Sequence, residues 1–178
     1  MLSSGNWTPE TIVYSKSEAH SIMNYGPSLT TIPKLEKHWR ITFDFKPNQS
    51  SLVPVNRFDS EHGKRVLCLA KGNNGAVLAL YFQGNYTKIH CYGSDWRSAY
   101  CDVNILPKIG DWTTYDVINE ELEPGKCRFK VFIGGKLVFE EEKQGTREIT
   151  DVTVNTGAWA DSTRTEGHLR RLTIRTKK

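Results

Sequence analysis

The sequence has no apolar run approaching about 18 residues, so no segment reads as a helix that spans a bilayer. Helical periodicity is nearly absent; only Lys16–Met23 suits a short helical turn. Cysteine is sparse. Cys68, Cys91, Cys101 and Cys127 contain no C-x-x-C pair, which excludes zinc-ribbon and thioredoxin-type motifs. Charge of one sign is sparse too: 24 Lys+Arg against 20 Asp+Glu leave +4, too small an excess to nominate nucleic acid. There is no G-x-S-x-G elbow for a serine nucleophile and no Glu-x-Asp-x-Glu strand placing two carboxylates on one face. The start, Met1 to Trp7, shows neither a basic n-region nor an apolar h-region, so no signal peptide is visible there.

The 178 residues, 38% hydrophobic and 25% charged, fit one folded domain able to bury a core. The dominant pattern has period two, the mark of half-buried strands. Trp39, Ile41, Phe43 and Phe45 alternate with Arg40, Thr42, Asp44 and Lys46, and Phe129, Val131 and Ile133 alternate with Arg128, Lys130 and Phe132. Gly134-Gly135 separates that second run from Lys136–Phe139, which predicts a tight hairpin. Further strands are expected over Val66–Ala70, Ala76–Gln83, Tyr86–Tyr92, Ser98–Ile105, Trp112–Asn119 and around Ile149–Val154. Ten or more short strands at this spacing read as an all-β, antiparallel two-sheet sandwich or a barrel. Trp39 and Trp112 are expected in the core. The basic stretch Arg164–Lys178 reads as the solvated face of a last strand, because Leu169, Leu172 and Ile174 interrupt its charges.

Each cysteine sits in an apolar, strand-like run, so buried free thiols and two disulfides both remain open. The sequons at Asn6, Asn48 and Asn85 are candidate glycosylation sites and tilt the reading towards a secreted protein. Catalytic groupings are poor. Glu120-Glu121 and Glu140–Glu142 are consecutive, so a strand turns neighbours to opposite faces; Asp59 and Glu61 fall in a loop, and adjacent His90 and Cys91 diverge. The expectation is a non-enzyme.

Three stretches together carry a family resemblance: Leu29–Pro47; Gly110-x-Trp112 with the Phe129–Val138 hairpin; and Ile149–Val154 followed by Gly167–Ile174. In that order they resemble the concanavalin A-like jelly rolls, which include laminin-G-like modules, pentraxins and galectins. The resemblance implies a jelly-roll recognition domain over residues 29–178. Residues 1–28 are then an N-terminal extension packing on or pairing with the sandwich. The middle of the chain is most similar to a galectin carbohydrate domain. Tyr81, Gln83 and Asn85 stand where that family has His, Asn and Arg, and Tyr100 and Cys101 stand where it has an acid and a base. Trp96 alone matches residue for residue.

Sugar recognition needs an exposed ring for the C–H face and polar tips for the hydroxyls. Asp95-Trp96-Arg97 offers both, with His90, Gln83 and Tyr81 nearby, and Trp159 is a second loop aromatic. The expected partners are glycans or glycoproteins, with no nucleic acid; a laminin-G-like domain binding a protein is the alternative. A homo-oligomer fits either role. No cofactor motif is present; family likeness alone suggests calcium, for which Asp151, Asn155 and Asp161 are candidate ligands.

Overall fold

A computed structural model describes residues 10–22, 28–48, 64–71, 76–83, 86–91, 99–144, 148–156 and 166–178. These residues form strands and no helix. Sheet A contains β1 (Thr11–Lys16), β2 (His20–Ser21), β4 (His38–Pro47), β9 (Thr113–Glu123), β10 (Lys126–Ile133), β11 (Lys136–Gln144) and β13 (Gly167–Lys177). Its order is β1-β13-β4-β9-β10-β11, with β2 also paired to β13. Sheet B contains β3 (Thr30–Leu35), β5 (Lys64–Lys71), β6 (Ala76–Gln83), β7 (Tyr86–Cys91), β8 (Ala99–Val103) and β12 (Ile149–Thr156), in the order β3-β12-β5-β6-β7-β8. All pairings are antiparallel. The expected two-sheet sandwich is present, and its face-to-face sheets give the fold of a concanavalin A-like jelly roll.

Within the expected turn Lys16–Met23, the described residues 16–22 are not helical. The chain leaves β1 at Lys16 and returns as β2, where His20 lies opposite Leu169 and Ser21 opposite His168. Backbone pairing with β13 overrides the weak local preference. Residues before 29 therefore contribute two strands to sheet A.

Alternation positions the core. Trp39, Ile41, Phe43 and Phe45 of β4 are each at most 2% exposed, as are Tyr115, Val117, Phe129 and Val131 on the neighbouring strands. Phe43 stacks on Tyr115 at 5.3 Å, and Phe45 crosses between the sheets to stack on Phe82 at 5.6 Å. Each fully buried side chain of this size contributes roughly 1.5–3 kcal/mol over its exposed state. In β13 the register shifts between Arg170 and Thr173, and Arg171 takes φ 52°; this extra residue lets Leu169, Leu172 and Ile174 all face inward. The hairpin turns at Gly134 (φ 59°) and Gly135 (φ 80°), a left-handed backbone that glycine enters without strain.

Trp39 is core, and Trp112 is not. Inward residues of β9 are odd-numbered (Tyr115, Val117, Asn119), so the same parity turns Trp112 to the outer face of sheet A. There it lies half-buried with Arg170 Cζ 4.0 Å and Lys46 Nζ 5.0 Å from its ring centroid.

All four cysteines are free and buried. Cys91 accepts a hydrogen bond from Lys143 Nζ at 2.7 Å. Lys143, on edge strand β11, is 8% exposed and points inward, an arrangement that discourages edge-to-edge pairing with a second chain.

Candidate functional site

Sheet B has two faces of different chemistry. Leu67, Leu69, Leu78, Leu80, Phe82, Ile89, Cys91 and Cys101 face sheet A and are buried. The outer face is set by register. Asn155, Cys68, Ala79, His90 and Tyr100 lie side by side in one row across β12, β5, β6, β7 and β8. Arg65, Tyr81, Lys88 and Asp102 form the next row. Cys68 and Ala79, each 1% exposed, and the fully buried Ala70 are closed to solvent, so the accessible part of this face is the β7–β8 side. Its wall there is aromatic and charged.

His90 is the centre of that wall. The Tyr81 hydroxyl lies 3.0 Å from both imidazole nitrogens, so it reaches whichever one the tautomer offers. The rings meet edge-on, Tyr81 to His90 at 4.9 Å and His90 to Tyr100 at 4.4 Å. Asp102 Oδ1 approaches His90 Nε2 at 3.5 Å, and Lys88 Nζ donates to Asp102 Oδ2 at 3.2 Å. Burial lowers the His90 pKa, and Lys88 adds to this; Asp102 opposes both without reversing the result. The imidazole is therefore neutral at pH 7, with one nitrogen donating and the other accepting. Tyr100 stays half exposed, at 50%, and offers a ring face to solvent.

A neutral imidazole, two phenols, a lysine and a carboxylate clustered at one edge of the sheet can grip a polyhydroxylated ring from one side. Hydroxyls would meet His90, Asp102 and Lys88, and a C–H face would meet Tyr100. The same groups make a poor catalytic set. His90 points outward while Cys91 points into the sandwich, as their adjacency predicts. Burial pushes the thiol of Cys101 up to about 12, Asp102 adding to the rise, and burial raises Cys68 and Cys91 as well, so these sulfurs stay protonated and weakly nucleophilic. Glu140 and Glu142 lie on one face of β11 in ion pairs with Arg128, and Glu120 pairs with Lys130 at 2.8 Å.

Of the residues expected to bind, the structure brings Tyr81 and His90 into contact and places Gln83 at the end of β6, opposite Tyr86. Trp96, Arg97, Trp159, Asn6, Asn85, Asp161, Asp59 and Glu61 lie outside the described residues. Asn48 is exposed beside the end of β4. Lys88, Asp102 and Arg65 did not stand out in the sequence; the signal was the alternation of β7 and β8, once their register was known. Asp151 (φ 54°) and Asn155 are both on β12, and among the described residues no three His, Cys, Asp or Glu side chains converge to hold a metal.

The architecture places the chain among the jelly-roll sandwiches. Comparison with solved structures gives the same class. A heptameric SAP-like pentraxin from Limulus polyphemus superposes with a TM-score of 0.56 at 14% identity, over 89% of this chain and 70% of that one. The receptor-binding domain of botulinum neurotoxin type G gives 0.57 at 14% identity, over 93% of this chain and 42% of that one. The receptor-binding domain of the mosaic serotype C/D neurotoxin gives 0.61 at 11% identity, over 94% and 48%. The chain thus spans less than half of the neurotoxin domains it resembles. No protein-family model and no curated protein sequence matches the chain. The two neurotoxin neighbours are receptor-binding domains, and at these identities the likeness is one of fold.

Proposed function

We propose that the chain is a non-catalytic carbohydrate-binding module whose ligand lies on the outer face of sheet B, against Tyr81, His90 and Tyr100. The observation that carries this reading is the aromatic and polar cluster built around a neutral imidazole, with Tyr100 half exposed at its edge. Lys88 and Asp102 supply a donor and an acceptor at the same rim. Trp96 and Arg97 connect β7 to β8 in sequence and extend the proposed site with a second stacking ring and a hydroxyl- or carboxylate-binding fork. The description of the neurotoxin neighbours as receptor-binding domains supports a recognition role. The heptameric pentraxin supports assembly of several copies. An extracellular setting belongs to the proposal and rests on the exposed Asn48 sequon.

A glycan array, run with and without calcium, tests it. Binding that is weakened in Tyr100→Ala and Trp96→Ala, while both variants melt with the wild type, is the expected result. Signal no higher than background in both conditions sinks the glycan reading and favours a protein partner of laminin-G type.

A further inference from the structure

On an edge strand such as β11 a lysine ordinarily carries its ammonium out to solvent. Lys143 does the reverse. Its side chain runs inward, is 8% exposed, and ends with Nζ 2.7 Å from Cys91 Sγ on β7 of the facing sheet. The Phe129 ring centroid lies 5.4 Å from the same nitrogen. Among the described residues no carboxylate pairs with Lys143. Taking an ammonium out of water with no anion beside it is costly. The thiol does not supply that anion: burial raises the Cys91 pKa, and the opposing influence of Lys143 does not reverse the shift. As an ion pair the contact is poor, so its closeness has another use.

Sulfur is larger than oxygen, so an N–H···S hydrogen bond is the longer of the two kinds. Yet 2.7 Å is at the short end even for N–H···O. It matches the separation of a nitrogen and a sulfur bonded to one bent oxygen. The two atoms therefore stand where such a bridge can close without moving either sheet. A route for an oxidant is present as well. Lys143 lines a groove of about 440 Å³ at the β9–β10 turn, together with Glu123, Pro124, Gly125, Lys126 and Glu142. Hydrogen peroxide is small and uncharged, and passes the two carboxylates of that groove without repulsion.

We infer that peroxide joins Lys143 Nζ to Cys91 Sγ through one oxygen, as an N–O–S cross-link between the two sheets. One peroxide oxidises the thiol: an S–O bond forms as the O–O bond breaks, giving a sulfenic acid and water. A second oxidises the amine, once its extra proton has gone to solvent, to a hydroxylamine and water. The hydroxylamine oxygen then displaces the sulfenic hydroxyl from sulfur. That hydroxyl leaves with the hydroxylamine O–H proton as a third water. Sulfur and nitrogen together lose four electrons to two peroxides, and four thiols of a reductant return them with release of one water. Because the thiol is buried and protonated the reaction is slow, which makes the pair a modification site and not a catalytic one. The cross-link stands whether or not sheet B binds sugar.

The test is tryptic peptide mapping of the full chain by mass spectrometry, after hydrogen peroxide and again after dithiothreitol, with free thiols alkylated before digestion. Residues 89–97 and 137–147 are expected as one linked species, heavier than the two peptides together by one oxygen less two hydrogens. Dithiothreitol should separate them, and Lys143→Met should form no such species. Peroxide should also raise the melting temperature of the wild type by a few degrees relative to peroxide-treated Lys143→Met, because the cross-link constrains the unfolded chain. Absence of the linked species from the wild type overturns the proposal, whether or not the variant folds. So does a link that loses two hydrogens and gains no oxygen, which marks a direct S–N bond or, with the Cys127 peptide attached, a Cys91–Cys127 disulfide. Cys91 recovered as a sulfinic acid, with cleavage after Lys143 intact, overturns it equally.

Discussion

The outer faces of the two sheets use polar residues in opposite ways. On sheet A charge is spent within the protein. Asp44, 1% exposed, accepts from Thr114 at 2.8 Å, from Arg170 Nε at 3.0 Å and from Arg171 Nε at 2.7 Å. Arg170 in turn lies over Trp112. On sheet B the polar groups cluster on the β7–β8 side, where Tyr100 and Asp102 remain open to solvent. A face that neutralises itself stiffens the sandwich; a face that leaves rings and hydrogen-bonding tips exposed is equipped to recognise something.

The sharpest break of this contrast is Asp44→Ala. It strands two guanidinium groups around a buried site and should cost about 3 kcal/mol, a fall in melting temperature of roughly 6–12 °C by calorimetry. The pH dependence has the same origin. Burial by itself would push the Asp44 carboxyl up, but hydrogen bonds from Thr114, Arg170 and Arg171 outweigh it and hold the group below its ordinary value. The carboxylate's contribution is thus complete above the unfolded pKa and is lost as pH falls through the lower folded one. An Asp44→Asn variant should show a flatter acid limb in its stability profile.

Next in size is Gly167→Ala at the start of β13. A Cβ there would lie 2.5 Å from Phe45 Cε2 and 2.7 Å from the Lys46 carbonyl oxygen. Backbone that close cannot yield, so a loss of about 1–3 kcal/mol in urea unfolding is expected. On sheet B the expectation reverses. Tyr100→Ala should change stability by less than about 0.5 kcal/mol while weakening glycan binding about tenfold in calorimetric titration. A large stability loss would make Tyr100 a structural residue.

The smallest effect concerns His90. Its burial lowers the folded pKa, so the unfolded chain takes up the proton first as pH falls. Stability attributable to the neutral ring is present above the ordinary histidine value and declines as pH drops through it. His90→Gln should remove that modest slope between about pH 7 and 5.

The scaffold was legible because it is written in period two. The runs at Trp39–Phe45 and Phe129–Ile133, with Gly134-Gly135 between strands, fix faces and a hairpin without any tertiary knowledge. Trp112 was misread because residues at the end of such a run belong to whichever face its parity dictates, and the parity of β9 became clear only with Tyr115 and Val117 buried. Asp44 shows a second limit. Alternation placed it outward, yet the extra residue at Arg171 brings two guanidinium groups over it. The site on sheet B was only half legible: Tyr81 and His90 emerged from order along the chain, whereas Lys88, Asp102 and Arg65 depend on cross-strand register, which a single sequence does not display.

The most direct measurement is a two-dimensional amide NMR titration of the chain with the glycan giving the strongest array signal. The account predicts shift changes concentrated on Ala79, Tyr81, Lys88, His90, Tyr100 and Asp102. Changes confined to the outer face of sheet A, or none at saturating glycan, would contradict it.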